Sequence, residues 1–356
     1  MSANLYDLLA SRFPVNSAAP CFMLADGTEI SYGALKVSAA RVAARLIAEG
    51  VQPGDRVALQ AEKSPEVIMI YLGVLMAGAV FVPLNAAYTK AEIDYFLKDS
   101  EPKVFITDPP AWVRDTADLE PLTVAVPRQS SDLASLIYTS GTTGRSKGAM
   151  LSHDNLASNS RALVGYWRFT RDDVLIHALP IYHTHGLFVA SNVILFARAS
   201  MFFLPKLDPD LIIKLMARST VLMGVPTFYT RLLQSPALGK ETTQHMRLFI
   251  SGSAPLLADT HREWAARTGH AVLERYGMTE TNMNTSNPYD GERVAGAVGY
   301  PLPGISVRVT DPESGKALAP ETIGMIEVKG PNVFKGYWRM PEKTKAEFRD
   351  DGFFIT

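Results

Sequence analysis

Residues 138–150 read YTSGTTGRSKGAM, a run that combines glycines, hydroxyl side chains and two cations, Arg145 and Lys147. Such a composition is typical of a loop that holds phosphate, because glycines let the backbone approach an anion and hydroxyl groups donate to its oxygens. The P-loop of nucleoside triphosphatases is excluded, since Ser146 stands where its second glycine belongs and Gly148 where its Ser or Thr belongs. We therefore expect a phosphate loop of another kind; a flexible surface loop is the alternative.

Composition limits the remaining possibilities. The chain has 356 residues, 47% hydrophobic and 20% charged, which is the balance of a globular protein large enough for two or three subdomains. A formal net charge of −1 gives no general affinity for nucleic acid or for an anionic membrane, so any anion-binding site must be local. One cysteine, Cys21, excludes an internal disulfide, and residues 1–20 show no secretory signal. We expect a cytoplasmic protein.

One apolar stretch, residues 67–84, is long enough to cross a membrane as a helix. Gly73, Gly78 and Pro83 interrupt it, and its β-branched end resembles a strand. We predict a buried helix from Pro65 to about Ala77 followed by a buried strand, and no contact with a membrane.

Short apolar segments alternate with helical patterns along most of the chain. The predicted strands are RVALQAE, AVFVPLN, VFITD, SLIYTS, DVLIHALP, SMFFLP, VLMGVP, MRLFISGS and AVLERYG. This alternation predicts an α/β fold with parallel sheets, whose sites lie at the carboxyl ends of strands, where SGTTG, SGSAP and YGMTE occur. Beyond residue 300, ISVRVTD, GMIEVKG and NVFKGYW alternate apolar and polar residues, as in a small antiparallel or barrel-like unit.

Five motifs, in order, resemble those of the adenylate-forming superfamily, which includes acyl-CoA synthetases, peptide-synthetase adenylation domains and luciferases. They are YTSGTTGRSKG, IYHTHG, SGSAP, ERYGMTE and GMIEVKGPNVFKGYWRMPEKT, and they extend over essentially the whole chain. Longer runs, including RSKGAMLSHDNL and LMGVPTFYTRLLQSP, resemble the malonyl-CoA synthetases. The resemblance implies a large N-terminal domain with two parallel-sheet α/β subdomains, about 1–170 and 171–300, and a small distorted β-barrel, about 301–356.

The resemblance also implies an activity. That family activates malonate with ATP to malonyl-adenylate, with Mg²⁺ bound, and passes the acyl group to coenzyme A. The implied phosphate-binding residues are Thr139, Ser140, Gly141, Thr142, Thr143, Gly144 and Lys147. The implied adenine-binding residues are Ser253, Ala254, Pro255, Glu274, Arg275 and Tyr276. Thr279 would bind phosphate and Glu280 would ligate Mg²⁺, a cation that prefers oxygen. Glu280 as a solvated carboxylate and Tyr276 as a core aromatic remain alternatives.

A second carboxylate on the substrate requires a cation, and Arg231 is our candidate. It lies early in the predicted helix PTFYTRLLQ, where the helix dipole does not favour a cation, so a bound anion would explain it. An ordinary surface arginine is the alternative. By resemblance, Thr184, Ser253 and Met283 shape the acyl pocket and His183 stands at its entrance, although Met283 could equally fill a core.

Two other chemistries are disfavoured. His183 and His185 form an HxH pair without a suitably spaced third ligand, which is weak evidence for zinc. A serine hydrolase is disfavoured because no G-x-S-x-G elbow occurs.

The sequence ends in DGFFIT, where the family continues with a ribose-binding aspartate, a hinge and a mobile C-terminal domain carrying a catalytic lysine. We therefore expect this chain to be an N-terminal domain that binds its substrates but is impaired alone. Another acyl- or aminoacyl-adenylating enzyme remains an alternative, although Arg231 fits a carboxylate better than an ammonium group. A nucleotide- or acyl-binding fragment without turnover is a second alternative. Oligomeric state is not predicted.

Overall fold

The computed structural model describes residues 2–139 and 145–356. Five residues of the predicted phosphate loop lie outside this described part: Ser140, Gly141, Thr142, Thr143 and Gly144. The strands are β1 Pro20–Met23, β2 Glu29–Ser31, β3 Arg56–Gln60, β4 Val80–Leu84, β5 Val104–Ile106, β6 Leu133–Thr139, β7 Lys147–Ser152, β8 Val174–His177, β9 Ser200–Phe203, β10 Val221–Gly224, β11 Leu248–Ser251, β12 Leu273–Met278, β13 Asn282–Ser286, β14 Tyr300–Pro301, β15 Ser306–Thr310, β16 Met325–Lys329 and β17 Phe354–Ile355. The helices are α1 Leu5–Ala10, α2 Tyr32–Ala48, α3 Pro65–Met76, α4 Lys90–Ser100, α5 Pro109–Arg114, α6 His153–Tyr166, α7 Asn192–Ala197, α8 Pro209–Met216, α9 Pro226–Leu233, α10 Ala258–Thr268 and α11 Pro341–Ala346. A π-helical segment, His185–Ser191, leads directly into α7.

A first sheet, here called the N-terminal sheet, has the strand order β5-β3-β4-β6-β7. Its first four strands are parallel and β7 pairs antiparallel with β6. The apolar stretch tested above as a membrane span forms α3 and then β4, both buried. Pro65 begins α3 because the first turn of a helix does not need its missing N–H. Within the described residues, no helix is long and apolar enough to cross a membrane.

A second sheet, here called the large sheet, has the order β14-β13-β12-β11-β10-β8-β9-β1-β2. Its strands from β12 to β1 are parallel, and the antiparallel strands β2, β13 and β14 lie at its two ends. Because β1 pairs with β9, the first strands of the chain belong to this sheet, which departs from the predicted division at about residue 170. Both sheets have the parallel α/β character that the sequence predicts.

The C-terminal unit is an antiparallel sheet of β15, β16 and β17. The prediction that NVFKGYW forms one of its strands was wrong. This segment instead lies against β7, where Lys335 N–H donates to the Met150 carbonyl (2.8 Å) and Trp338 N–H to that of Gly148 (2.7 Å). Phe334 N–H also donates to the Glu280 carbonyl (2.7 Å), so the segment ties the N-terminal sheet to the end of β12.

Close packing of α2 on α3 generates a testable prediction. A Cβ on Gly73 would lie 2.3 Å from Val42 Cγ1 and 2.8 Å from the Ala39 carbonyl oxygen. Overpacking of this kind costs about 1–3 kcal/mol, more than the gain in helix propensity from alanine. We expect Gly73→Ala to lower the denaturant midpoint, whereas the matched control Gly165→Ala, in open space near the end of α6, should leave it unchanged or raise it. Equal midpoints for the two variants would contradict this packing.

Candidate functional site

A cavity of about 830 Å³ opens where the three sheets meet. The N-terminal sheet contributes Thr139 and Lys147, the large sheet contributes the end of β12, and the last residues of the chain close one side. The parallel strands of the large sheet end at this cavity, which is where α/β sheets build their sites.

Most of the predicted site residues line this cavity or a smaller one beside it. The large cavity is lined by Thr139, Lys147, His183, Thr184, Ser253, Arg275, Thr279, Glu280 and Met283. The smaller cavity, of about 350 Å³, is lined by all six residues predicted to bind adenine: Ser253, Ala254, Pro255, Glu274, Arg275 and Tyr276. Ser253 and Arg275 border both, so the two cavities are neighbours.

Arg275 is the most unusual group in the site. Its side chain is buried, and all three guanidinium nitrogens lack a hydrogen-bond partner within the described residues. Burial lowers the pKa of Arg275, because a desolvated cation without a counter-charge is unfavourable. A Cβ on Gly252 would lie 2.3 Å from Arg275 Cζ, so the glycine of SGSAP leaves the space that the guanidinium occupies. An unpaired buried cation beside a cavity indicates an anion-binding site.

Further unpartnered polar atoms surround this end of the cavity. Thr184 Oγ1 and His185 Nε2 are buried without a partner in the described part of the chain. His185 Nδ1 lies 3.2 Å from Ser253 Oγ, and Ser253 adopts a left-handed backbone (φ +71°) that aims its hydroxyl at the ring. Burial, followed by the positive charge of Arg275, lowers the pKa of His185 well below its ordinary value. His185 is therefore neutral at physiological pH and can donate or accept a hydrogen bond.

A buried hydrogen-bond chain holds the π-helical segment in place. Lys63 Nζ donates to His177 Nδ1 (2.9 Å), which leaves the proton on Nε2, and Nε2–H donates to the Gly186 carbonyl (2.9 Å). Gly186 is required at its position because a Cβ there would lie 2.0 Å from the Pro180 carbonyl oxygen. The chain thus fixes the backbone next to His185.

The opposite end of the cavity carries carboxylates and a lysine. Glu280 is buried, and Tyr337 Oη–H donates to its Oε1 (3.0 Å). Burial raises the pKa of Glu280. Lys147 Nζ lies 4.3 Å from the centroid of the Tyr337 ring and 3.4 Å from Glu347 Oε1. Thr279 lies beside Glu280 on the same cavity wall.

The smaller cavity has the features of a pocket for a flat polar ring. Glu274 is buried and accepts a hydrogen bond from Gly296 N–H (3.0 Å), and burial raises its pKa. Tyr276 is half-buried and borders the cavity, so it is not a core aromatic. A half-buried aromatic face is suited to stacking on a ring.

Arg231 is not brought into either cavity. It is exposed and lies in the last turn of α9, which ends at Leu233. The expectation that it lies near the N-terminus of its helix was wrong, and a cation in the last turn is favoured by the helix dipole without any bound anion. Its role in binding an anion stays a prediction.

The cavity lining also includes residues that the sequence analysis did not select, among them His185 as a binding group, Tyr337 and Glu347. His185 carried a weak signal, since it was considered only as half of a metal pair. Among the described residues, no group of three or more His, Cys, Asp or Glu side chains could hold a metal ion. Tyr337 lies within the last of the five motifs but was not singled out, and Glu347 lies beyond it; both reach the site from a segment far along the chain.

Comparison with known proteins gives a consistent result. A family model described as AMP-binding enzyme matches residues 9–338. The malonate–CoA ligase of Arabidopsis thaliana is 34% identical over 100% of this chain and 68% of its own length. The mitochondrial malonate–CoA ligase of Bos taurus is 33% identical over 88% of this chain and 63% of its own length. The crystal structure of ATP-bound MatB from Rhodopseudomonas palustris is 64% identical, with a TM-score of 0.97, over 100% of this chain and 76% of that one.

The unpaired charge of Arg275 generates a stability prediction. Burying a charge without a partner is unfavourable, so an apolar side chain of similar volume in its place should leave stability unchanged or raise it. We expect Arg275→Met to keep or raise the midpoint of urea unfolding. Arg247→Met is the matched control, because Arg247 Nε lies 2.7 Å from the buried carboxylate of Asp173, whose charge would be left unpaired at a loss of about 3–5 kcal/mol. A similar loss in both variants would mean that Arg275 has a structural role.

Proposed function

Because this chain belongs to the AMP-binding enzyme family, we propose that it acts in the ATP-dependent activation of malonate to malonyl-AMP and diphosphate, followed by transfer of the malonyl group to coenzyme A. The chain spans 63 to 76% of the length of the relatives described above, so this reaction is proposed for the protein to which these residues contribute. Malonate is the substrate that the names of the two relatives give, and the MatB structure contains ATP.

The chemistry requires several negative groups to be held together. A carboxylate resists nucleophilic attack because its charge repels nucleophiles and oxide is a poor leaving group. Joining it to AMP supplies a leaving group and releases diphosphate. One carboxylate of malonate must therefore meet the triphosphate while the other is neutralised elsewhere, and positioning and electrostatic stabilisation lower the barrier of such a transfer.

The observation that carries this proposal is the unpaired guanidinium of Arg275. A dicarboxylate provides the counter-charge that the fold does not supply, and a bidentate arginine–carboxylate pair is among the stronger hydrogen-bonded contacts in proteins. Thr184 Oγ1, Ser253 Oγ and neutral His185 border the same space and can bind the remaining oxygen lone pairs. A monocarboxylic acid would leave the guanidinium buried and unpaired, so this site selects a short diacid.

Met283 and Thr184 border the end of the cavity assigned to the acyl group, where they would limit the size of the substrate. Met283 is buried, and its Cε would lie 2.6 Å from a Cβ at Gly277. Both side chains line the large cavity, so substituents on the central carbon of the diacid would meet them. We expect malonate to be preferred over larger relatives.

The phosphate end is assigned to Thr139, Lys147 and Thr279, together with the loop residues outside the described part. Glu280 offers a carboxylate of which one oxygen is bonded to Tyr337. That arrangement fits Mg²⁺, which takes one or two protein carboxylates and completes its shell with phosphate oxygens and water. When bound, Mg²⁺ would neutralise charge on the phosphates.

The neighbouring 350 Å³ cavity is assigned to the adenine ring. Tyr276, Ala254 and Pro255 line this cavity. Because Ser253 and Arg275 border both cavities, a nucleotide in the smaller one would extend towards the acyl end. We still predict that the protein is located in the cytoplasm, although the Bos taurus relative is described as mitochondrial.

A pair of arginine variants tests the diacid assignment. Removing one partner of a buried charged contact weakens binding by about 2–5 kcal/mol, or roughly 30- to 1,000-fold. We expect Arg275→Met to lose malonate affinity by this factor, measured with a saturating non-hydrolysable ATP analogue because Arg275 also borders the cavity assigned to adenine. Arg231→Leu tests the candidate from the sequence, a cation outside both cavities; retained malonate binding in this variant is what the assignment to Arg275 requires. Isothermal titration calorimetry measures both; loss of malonate binding in Arg231→Leu alone would transfer the assignment to Arg231.

A further inference from the structure

Glu347 places a negative charge where the proposed function requires positive ones. It follows the last turn of α11 and lines the large cavity. Its Oε1 lies 3.4 Å from Lys147 Nζ and 2.8 Å from Lys343 Nζ. The side chains of Lys147 and Glu347 are 17% and 19% exposed, so this pair is largely shielded from solvent.

The two lysines on Glu347 differ in position. Lys343 is four residues earlier on α11, is 45% exposed and does not line the cavity. Lys147 begins β7, lines the cavity and lies over the Tyr337 ring. Lys147 is also the cation that we assign to binding the phosphates of ATP. Glu347 therefore already neutralises part of the positive charge on Lys147 that would bind a phosphate.

A neighbouring contact indicates the same competition. The hydroxyl of Tyr337 donates to Glu280, and the pKa of Tyr337 is raised by burial and by the two carboxylates Glu280 and Glu347. Lys343, Tyr337 and Lys147 lower the pKa of Glu347, so it is ionised at neutral pH. Two carboxylates and one cavity lysine thus share a small volume, and an arriving triphosphate adds more negative charge.

We propose that Glu347 is an internal competitor of phosphate for Lys147: it pairs with the lysine when the cavity holds no phosphate, yields the lysine to the triphosphate, and takes it back as diphosphate leaves. The inference rests on the proposed function. No covalent bond changes in the exchange, since one ion pair replaces another. Its consequence is weaker binding of both ATP and diphosphate, and therefore faster release of diphosphate after the acyl-adenylate forms.

The test uses Glu347→Gln, which keeps the shape and removes the charge. Because the competing carboxylate is gone, we expect Mg-ATP and Mg-diphosphate to bind roughly 3- to 10-fold more tightly to the variant, which corresponds to about 0.6–1.4 kcal/mol. Stopped-flow displacement should show slower dissociation of diphosphate. In a Lys147→Ala background the substitution should give no such gain, because the lysine for which the two anions compete is absent.

Lys343→Met is the matched control. It removes the other lysine from Glu347 and leaves the carboxylate to Lys147 alone, so we expect weaker Mg-ATP binding, the opposite direction from Glu347→Gln. A merely structural role for Glu347 would not produce tighter binding in one variant and weaker binding in the other.

The outcomes separate the two proposals. If the wild-type chain binds ATP and Glu347→Gln binds it with equal or lower affinity, this inference is overturned and the proposed function is not. If that weakening vanished without Mg²⁺, Glu347 would instead be a metal ligand. Absence of ATP and diphosphate binding in the wild-type chain would overturn the proposed function, and this inference with it.

Discussion

A buried guanidinium without a counter-charge is the constraint on which the rest of the site depends. Transferring an arginine from water into a protein interior is unfavourable unless hydrogen bonds or an opposite charge compensate it, and Arg275 has neither among the described residues. The surrounding structure nevertheless keeps it in place, with β12 supplying its backbone and Gly252 leaving room for its head. The proposed function accounts for this arrangement, because a bound diacid would supply the missing charge.

Charged side chains lie at both ends of the large cavity. Arg275 lies at one end, and Lys147 lies at the other beside Glu280 and Glu347. Each cation is carried by a different sheet, and the segment containing Phe334 and its neighbours ties those sheets together through backbone hydrogen bonds. The relative positions of the two proposed anion sites therefore depend on packing between sheets rather than on any single loop.

The sequence predicted those cavity-lining residues that directly follow a strand. The apolar strands and the residues that follow them, such as Ser253 after β11 and Thr279 after β12, could be predicted because strand ends converge in α/β sheets. Arg231 was misplaced because the end of α9 and the exposure of its last turn depend on packing, which a local pattern does not record. NVFKGYW alternates like a strand, yet its backbone bonds to β7 and leaves Tyr337 facing Glu280. Glu347 reaches the cavity from α11, a placement that only the folded chain establishes.

Thermal denaturation with matched acids would test the central claim most directly. Malonate and propionate are of similar size and differ by the second carboxylate, which the account assigns to Arg275. With a non-hydrolysable ATP analogue present, a ligand at 100 times its dissociation constant stabilises the fold by about 2.7 kcal/mol. We predict a clear rise in the midpoint temperature with malonate and little or none with propionate at the same concentration. Equal rises with both acids would contradict it.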